Sequence, residues 1–379
     1  MNLPTWHVVS FLVDYLGYMQ NAKPTPSNSL SFHVLTELSD ITALASEWDS
    51  LLERSSCNRA FSSSKWFIAT CRHLPQLQPY VLIARRRTAL VGILPLVLGD
   101  HSKVATFSNY LNDYSDVIVA SHDWATAAGL LNYARSTPNG YEHIVLSQIR
   151  QDSNCLRAIE VMEPKGSRDW SFREIVSCHY LLLPASHDDF LRSKGSRFRK
   201  RLKRIQCRAG ETNLTLRELE PDSFAPDNLP QTFLSLHLQR QRTKSCFEPI
   251  PAQSFVEEVF PPLFQQRVIR ACVLVEKDNI VAIDLFMMGS NSLCAWNGGF
   301  LSDAAHCSPG QLLINAGIKL ACALKLEEYD FARGAEQYKL RWANNIRSIG
   351  QLELSTQPNP EGNSPNRLES KGVERNLYL

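Results

Sequence analysis

The chain has 379 residues, with 40 Lys and Arg against 38 Asp and Glu and a formal net charge of +2. At about 100–200 residues per domain, this length indicates two domains with substantial cores. A composition of 44% hydrophobic and 21% charged residues excludes a wholly disordered, collagen-like or disulfide-scaffold protein, and the charge balance means that any basic surface must be local.

The beginning of the chain predicts neither a membrane span nor a signal peptide. The apolar stretch Val8 to Leu16 contains Asp14 and is much shorter than the roughly 20 residues that a span needs. No basic region precedes it and no small-residue cleavage site follows it. We therefore expect residues 1–30 to form a flexible N-terminal extension.

The first half of the chain then predicts a small α/β unit. The polar residues Arg85 to Thr88 indicate a turn between two apolar strands. The elements expected in chain order are strands at Tyr80 to Ala84, Ala89 to Leu98 and Asp116 to Ala120, a helix from Trp124 to Arg135 and a strand at His143 to Ser147.

A strongly basic helix is predicted next, and a second helix over Leu229 to Arg242 follows it. The stretch Arg192 to Arg208 contains nine Lys or Arg and no acidic residue. Phe198, Leu202 and Ile205 recur at helical spacing, which gives one apolar stripe on an otherwise basic surface. A solvated surface and a phosphate-binding surface are both open interpretations. DNA binding is not predicted, because no DNA-binding motif accompanies the charges.

The second half repeats the order of elements of the first, which indicates a duplicated α/β unit. We expect domains at 31–185 and 186–355 and a disordered tail at 356–379, where Pro, Asn, Ser and Glu are frequent. The predicted elements are strands at Ile269 to Val275, Ile280 to Met288 and Ser292 to Trp296, a helix from Gln311 to Leu324 and a strand at Tyr329 to Phe331.

The ten cysteines and ten histidines form no local metal motif. Neither CxxC nor HExxH occurs, so no metal site is predicted. Scattered cysteines without a secretory signal are typical of reduced thiols buried as small hydrophobic residues. We therefore expect a cytoplasmic protein whose cysteines are free and mostly buried.

One local motif predicts an anion site. Cys307-Ser308-Pro309-Gly310-Gln311-Leu312-Leu313 leads through a glycine-containing loop into a helix. The free N–H groups and the dipole at a helix start attract phosphate, and Gly310 would let it approach the backbone closely. A helix capped by Ser308 explains the same residues without a ligand.

A second motif, Tyr329 to Trp342, combines a strand with a short polar loop. Because ligands of α/β sheets bind beyond the carboxyl ends of strands, its side chains predict a functional site. Tyr338 could protonate a leaving thiolate, and Lys339 could stabilise an oxyanion or a phosphate. Alternatively, Glu336 and Lys339 form a surface pair worth about 0.3–0.5 kcal/mol, with Tyr338 and Trp342 packed in the core.

The two motifs together resemble a known family. The family is that of the GNAT-like acetyltransferases associated with cellulose and exopolysaccharide biosynthesis, which are relatives of the Fem-type aminoacyl transferases. The resemblance covers roughly Phe32 to Thr356. It is carried by Ser308-Pro309-Gly310 before a helix and by Tyr329-Asp330-Phe331-x-Arg333-Gly334-x-Glu336-x-Tyr338-Lys339-x-x-Trp342, with weaker agreement at Val91 to Leu96, Asp113 to Asp116, Arg197 to Arg204 and His237.

The resemblance implies a mixed α/β protein made of tandem GNAT folds in a two-lobed, Fem-like architecture. It implies transfer of an acyl group, in the first instance acetyl, from acyl-CoA to an amine by direct attack without a covalent enzyme intermediate. The C-terminal unit would hold the donor, and the N-terminal unit would support the fold or the acceptor site. The donor's phosphates would bind at Ser308, Gly310, Gln311 and Leu312. Lys339 would stabilise the oxyanion, and Tyr338 would line the acyl channel or protonate the leaving group.

The remaining site residues are predicted with alternatives. Asp284 lies in an apolar run, where burial would raise its pKa toward that of a general base, although a carboxylate satisfied by Arg or backbone partners explains it equally well. The acceptor would be a small amine, a nucleotide-sugar or a glycan. The residues predicted to contact it are Arg197, Arg201, His237, Arg333 and Glu336.

Two other functions stay open. GNAT enzymes usually carry a Q/RxxGxG/A loop, which is missing here, and the Fem-type relatives take their acyl group from aminoacyl-tRNA, so this donor is an alternative to CoA. The second is a non-catalytic module whose basic helix recruits a polysaccharide synthase or an anionic membrane surface. The acceptor, the acyl chain length and the oligomeric state are not readable from the sequence.

Overall fold

The computed structural model describes residues 29–99, 103–108, 110–136, 141–162, 169–241 and 245–355. The predicted tail and all but the last two residues of the predicted N-terminal extension lie outside these ranges. The described chain forms a mixed α/β structure built on a single large sheet.

The first half supplies seven strands of this sheet. Strands predominate, and the helices cover the two faces of the sheet. The elements are β1 (Leu30–Leu35), α1 (Leu38–Glu53), α2 (Ser64–His73), β2 (Leu77–Arg86), β3 (Ala89–Gly99), β4 (Val104–Phe107), β5 (Ile118–Val119), α3 (Trp124–Ser136), β6 (His143–Arg150), α4 (Asn154–Val161) and β7 (Trp170–Leu182).

The second half supplies the other six strands. Short 3₁₀ turns at Ser302–Cys307 and Lys339–Arg341 flank its last helix and strands. The elements are α5 (His187–Ser193), α6 (Ser196–Glu211), β8 (Thr215–Leu219), α7 (Asn228–Gln241), α8 (Ile250–Gln265), β9 (Ile269–Glu276), β10 (Asn279–Met288), β11 (Ser292–Phe300), α9 (Pro309–Ala323), β12 (Glu328–Arg333) and β13 (Asn345–Ser355).

The two halves share strands in the middle of the sheet. The strand order is β1-β2-β3-β4-β6-β13-β7-β12-β11-β10-β9-β8, with β5 paired to β3. The C-terminal strand β13 therefore lies between β6 and β7 of the first half, while β7 pairs with β12 of the second half. Each half completes the sheet of the other, and the division expected at residue 185 remains a prediction.

Both halves contain one parallel strand pair, β4 with β6 and β11 with β12. This equivalence corrects the predicted repeat, because the strand that matches β11 is Val104–Phe107 and not Asp116 to Ala120. The latter stretch shortens to Ile118–Val119 because the carboxylate of Asp116 accepts backbone N–H groups from Val117, Asn154 and Cys155 and holds a loop instead. The four-residue β4 was too short to be predicted.

The basic stretch also differs from the prediction, because it is split between two helices. α5 ends at Ser193 and α6 begins at Ser196, so the predicted helix from Arg192 is interrupted. Lys194 has an extended backbone at the break, and its Nζ donates a hydrogen bond to the carbonyl of Trp342 at 2.6 Å. The apolar stripe is confirmed, since Leu202 and Ile205 are buried.

Helices cover both faces of the second half. Side chains of α7 and α8 pack on one face, and those of α5, α6 and α9 pack on the other. Eight of the ten cysteines are buried and all are free, which confirms the expectation from the sequence. Within the described ranges, no helix combines the length and the apolar character needed to cross a membrane.

Candidate active site

A gap opens between two neighbouring strands of the second half. β11 and β12 are paired only from Ser292 with Glu328 to Cys294 with Asp330, after which they part. The register of β11 against β10 shifts at the same level, which leaves Trp296 as the extra residue of a β-bulge. Bulges bend a strand, so this one directs β11 away from β12. The gap faces the carboxyl ends of both strands, where ligands of α/β sheets bind.

α9 begins beyond this gap with an open first turn. Ser308 adopts the left-handed conformation (φ 55°, ψ 55°), and its hydroxyl makes no capping hydrogen bond, so capping by Ser308 does not explain the motif. Pro309 occupies the first turn, and the N–H of Gln311 donates to the carbonyl of Ser308 at 3.0 Å. A Cβ at Gly310 would meet nothing within 4 Å. Leu312 is buried in the core, so only its backbone could contact a ligand.

The equivalent helix start in the first half is closed. The carboxylate of Asp123 accepts the N–H of Thr126 at 3.2 Å and its hydroxyl at 2.8 Å at the beginning of α3. A carboxylate there supplies the negative charge that the helix dipole favours. Of these two helix starts, that of α9 is free to bind an anion and that of α3 is not.

Asp284 lies on the floor of the gap. It is on β10, opposite Gly298 of β11, and a Cβ at Gly298 would collide with its carboxylate, so only glycine fits there. Asp284 is partly buried and makes no hydrogen bond or ion pair with a described residue, unlike the satisfied carboxylate considered from the sequence. Burial raises its pKa to about 7.

Two phenols share the electrostatic environment of Asp284. Burial, with smaller contributions from the charges of Glu336 and Asp284, raises the pKa of Tyr338, whose side chain is 40% exposed. Tyr329 is fully buried and packs on Phe286, and burial, with a smaller contribution from the charge of Asp284, raises the pKa of its phenol. The hydroxyl of Tyr329 has no hydrogen-bond partner among the described residues. The charge of Asp284 thus acts on both phenols, the predicted Tyr338 and also Tyr329.

Lys339 is directed elsewhere. Its side chain is 2% exposed, and Nζ donates to the carbonyls of Arg333 at 2.6 Å, Gly334 at 3.3 Å and Ala332 at 3.4 Å. It also pairs with the exposed Glu336 at 2.8 Å. These four acceptors occupy the ammonium group, so Lys339 closes the loop that follows β12. Its oxyanion role remains a prediction, and acting at a carbonyl would require giving up these bonds.

We expect Lys339→Met to lower the free energy of unfolding by about 2–4 kcal/mol, because it leaves buried carbonyls without a donor. Glu336→Gln should cost less than about 1 kcal/mol, since its partner retains three carbonyls and Glu336 is exposed. Urea unfolding of both variants tests this difference. If Lys339→Met is as stable as the unchanged chain but loses turnover, Lys339 acts in catalysis and not in stabilising the loop.

The basic helix runs along the mouth of the gap. Near its start, Phe198 packs on Trp342 with ring centroids 5.0 Å apart, and near its end Arg208 donates to the carbonyl of His306 at 2.9 Å. α6 thus connects the turn after β12 to the turn before α9. Arg197 and Arg201 are exposed and form no ion pair with a described residue, so both remain available to an anionic ligand.

Besides Glu336, which pairs with Lys339, two more of the predicted substrate contacts support the scaffold. His237 is buried, with Nδ1 2.9 Å from the carbonyl of Gly298, and burial lowers its pKa. It lies on α7, on the sheet face opposite α9. Arg333 pairs with Asp113 at 2.5 Å and so links the two halves. His237 thus contacts Gly298, the residue opposite Asp284, from the sheet face of α7.

The sequence analysis missed two contributions to the site. Gly298 makes room for the carboxylate of Asp284, and Gly299 lets the backbone of α7 approach β11 closely. Two consecutive glycines shortly after the strand predicted to end at Trp296 were the available signal, since glycines in a strand mark a close approach. The free hydroxyl of Tyr329 had no such signal, because its position depends on tertiary packing.

Comparisons with known proteins agree with this architecture. Residues 193–340 match the family model described as acetyltransferase (GNAT) domain. The crystal structure of FemX is similar with a TM-score of 0.56 and 12% identity, over 82% of this chain and 95% of that chain. The structure of L-PGS from Bacillus licheniformis gives a TM-score of 0.52 and 11% identity, over 86% and 94% of the two chains. No curated protein matches the chain.

These comparisons describe the fold. The segment from the basic helix to the loop after β12 matches the model of the GNAT acetyltransferase domain, and the described chain has a Fem-like, mixed α/β fold. The fold class predicted from the sequence is confirmed. The matches support a transferase, and at these identities the structural similarities are similarities of fold.

Proposed function

We propose that the protein is an N-acyltransferase that moves an acyl group, in the first instance acetyl, from acyl-CoA to an amine. The observation that carries the proposal is the partly buried, unpartnered carboxylate of Asp284 in a strand gap that leads to the open helix start at Gly310. Such a gap offers a slot for an extended thioester, and such a helix start offers a place for its phosphates.

The residues of the gap suit direct attack by the amine. With the donor's phosphates at the N–H groups of Gly310 and Leu312, its thioester would extend toward Asp284. The amine nitrogen forms a bond to the carbonyl carbon, and the bond from carbon to sulfur breaks. Asp284 accepts the proton that leaves the nitrogen, which its pKa of about 7 allows near neutral pH. Tyr338 donates a proton to the departing thiolate and is reprotonated from solvent.

The second half alone would carry the donor. The start of α3 already holds the carboxylate of Asp123, which would repel a pyrophosphate. This supports the proposed division of labour, with the first half supporting the fold or the acceptor. Arg197 and Arg201 on α6 stand where they could contact phosphates of either substrate.

A donor of the Fem type is the second candidate. It is favoured by the exposed cations of α6, which form no ion pair with described residues, and by the similarity to the FemX fold. A role in polysaccharide or envelope metabolism, in the cytoplasm, and an association with a polysaccharide synthase or membrane surface remain expectations from the sequence resemblance.

Donor binding separates these candidates. We expect acetyl-CoA at about 100 times its Kd to stabilise the full chain by about 2.7 kcal/mol in a thermal-shift measurement. Deacylated and aminoacylated tRNA serve as the alternative probes at the same molar excess. Stabilisation by charged tRNA but not by acetyl-CoA would overturn the CoA proposal, and stabilisation by neither would overturn a transferase that uses these donors.

A further inference from the structure

A cavity of about 260 Å³ lies between the two halves of the chain. The first half contributes loops around Ser56, Tyr114 and Asp152, and the second half contributes the beginnings of β11 and β12. Six serines and two asparagines are among its lining residues. The loops are joined directly across the boundary, because the N–H of Arg59 donates to the carbonyl of Met288 at 2.8 Å and Ser290 donates to the carbonyl of Ser56 at 3.1 Å.

The inner end of this cavity reaches the point where β11 and β12 part. Cys294 lines the cavity and is the last residue of β11 that is paired with β12, opposite Asp330. Tyr114 also lines it, and its hydroxyl donates to Oδ1 of Asp330 at 2.8 Å. Asp284 and α9 lie on the other face of the same strands. A molecule in the cavity and a thioester in the gap would therefore approach the parting point from opposite faces.

The charges around the cavity are unbalanced. Four carboxylates line it, those of Asp116, Asp152, Glu327 and Glu328, against the single guanidinium of Arg150. Arg150 binds Asp152 through two hydrogen bonds, of 2.7 and 2.8 Å, and Arg347 pairs with Asp152 and Glu328. Glu327 stands exposed at the rim and has no ion pair with a described residue.

A buried carboxylate oxygen without a hydrogen bond from a described residue lies behind the lining. The side chain of Asp330 is 1% exposed, and its Oδ2 accepts no hydrogen bond from a described residue. The nearest cations stand back from it, with Arg347 at 3.6 Å and Arg150, which lines the cavity, at 3.8 Å. A buried acceptor without a donor costs about 1–3 kcal/mol, which a donor brought in by a ligand or water would recover.

We infer that this cavity binds the acyl acceptor, and that the acceptor is a small, hydroxylated primary amine about the size of one sugar unit. The excess of carboxylates attracts the ammonium form, and the serine and asparagine side chains provide hydrogen bonds for hydroxyl groups. The volume limits the bound portion to a single small unit. That the bound amine is the acyl acceptor rests on the proposed function. That the cavity binds an amine does not depend on it.

The test compares two sugars that differ in the charge of one group. Glucosamine and N-acetylglucosamine are titrated into the full chain by calorimetry at neutral pH, without any acyl donor. We expect glucosamine to bind at least about 10-fold more tightly, because acetylation removes the positive charge. Glu327→Lys should weaken glucosamine by at least about 10-fold and Glu327→Gln by less. Glu257→Lys, an equally exposed change on α8, should leave it unaltered.

Equal binding of the two sugars, binding of neither, or full glucosamine affinity in Glu327→Lys would overturn the inference. Acetyl-CoA titrated into the same variants should bind as it does to the unchanged chain, because Glu327 follows the C-terminal end of α9, whereas the donor's phosphates would bind at the start of that helix. Glucosamine binding without acetyl-CoA binding would leave the amine site in place and count against the proposed donor alone.

Discussion

Asp284→Asn is expected to lower kcat by about 10²–10⁴-fold, the usual contribution of a general base. The amide keeps the shape of the side chain beside Gly298 but cannot accept the proton of the attacking amine. With a pKa of about 7, the unchanged enzyme should gain activity up to that pH and level off above it, because only the ionised carboxylate acts as a base. The variant should lose this pH dependence.

Asp278→Asn is the matched control, since Asp278 is an exposed residue in the hairpin turn that leads into β10. It should retain both the rate and the pH profile. If the activity of Asp284→Asn still rises with pH around pH 7, another group is the general base.

Asp284→Asn should raise the stability of the fold although it lowers activity. The folded-state pKa of Asp284, about 7, lies above the ordinary value of about 3.9, so ionisation costs stability as the pH rises between these values. The cost is complete above pH 7 and absent below about pH 4. Asp284→Asn should therefore melt at a higher temperature than the unchanged chain at pH 8, with the difference shrinking on acidification. Loss of activity together with a gain in stability would separate a functional role from damage to the fold.

Gly310→Asp is expected to weaken acetyl-CoA binding by about 10–100-fold, equivalent to about 1.4–2.7 kcal/mol. The space beside Gly310 is empty, and an aspartate there would occupy it with a negative charge that repels phosphate. The fold itself should gain, because a helix start favours a carboxylate and glycine is a poor helix former. Calorimetry and thermal melting of the same preparation measure both effects.

Gly195→Asp serves as the control, because a Cβ at that glycine also meets nothing within 4 Å. It adds the same charge just before α6, at the end of that helix opposite the turn that leads into α9, and should leave most of the donor affinity. Undiminished acetyl-CoA binding in Gly310→Asp would mean that the helix start does not hold the donor's phosphates.

The elements of the fold were predictable where hydrophobic periodicity was strong. The predicted strands over Ala89 to Leu98 and Ile280 to Met288 and the helix from Trp124 are observed with small shifts at their ends. The strand β4 was missed because four residues carry too little alternation to stand out. The break at Lys194 was missed because it depends on a hydrogen bond to Trp342, which lies far along the chain.

The site was only partly predictable for a related reason. An acidic residue in an apolar strand identified Asp284 correctly as a carboxylate with a raised pKa. The direction of neighbouring side chains could not be derived, and it distinguishes Tyr338, whose pKa responds to the charge of Asp284, from Lys339, which turns back to the carbonyls after β12. The cavity between the halves is formed by loops that lie far apart in the sequence, such as those of Ser56 and Ser290, and no local pattern encodes it.

The shared strands in the middle of the sheet determine when the protein can fold during synthesis. Until Asn345–Ser355 leaves the ribosome, β6 and β7 have no strand between them, and the nascent first half carries two open edges. Such edges invite pairing with other chains, and contacts this distant in sequence form slowly. The sheet therefore remains incomplete until β13 has been synthesised. A chain that ends before residue 345 would lack the strand that joins β6 to β7.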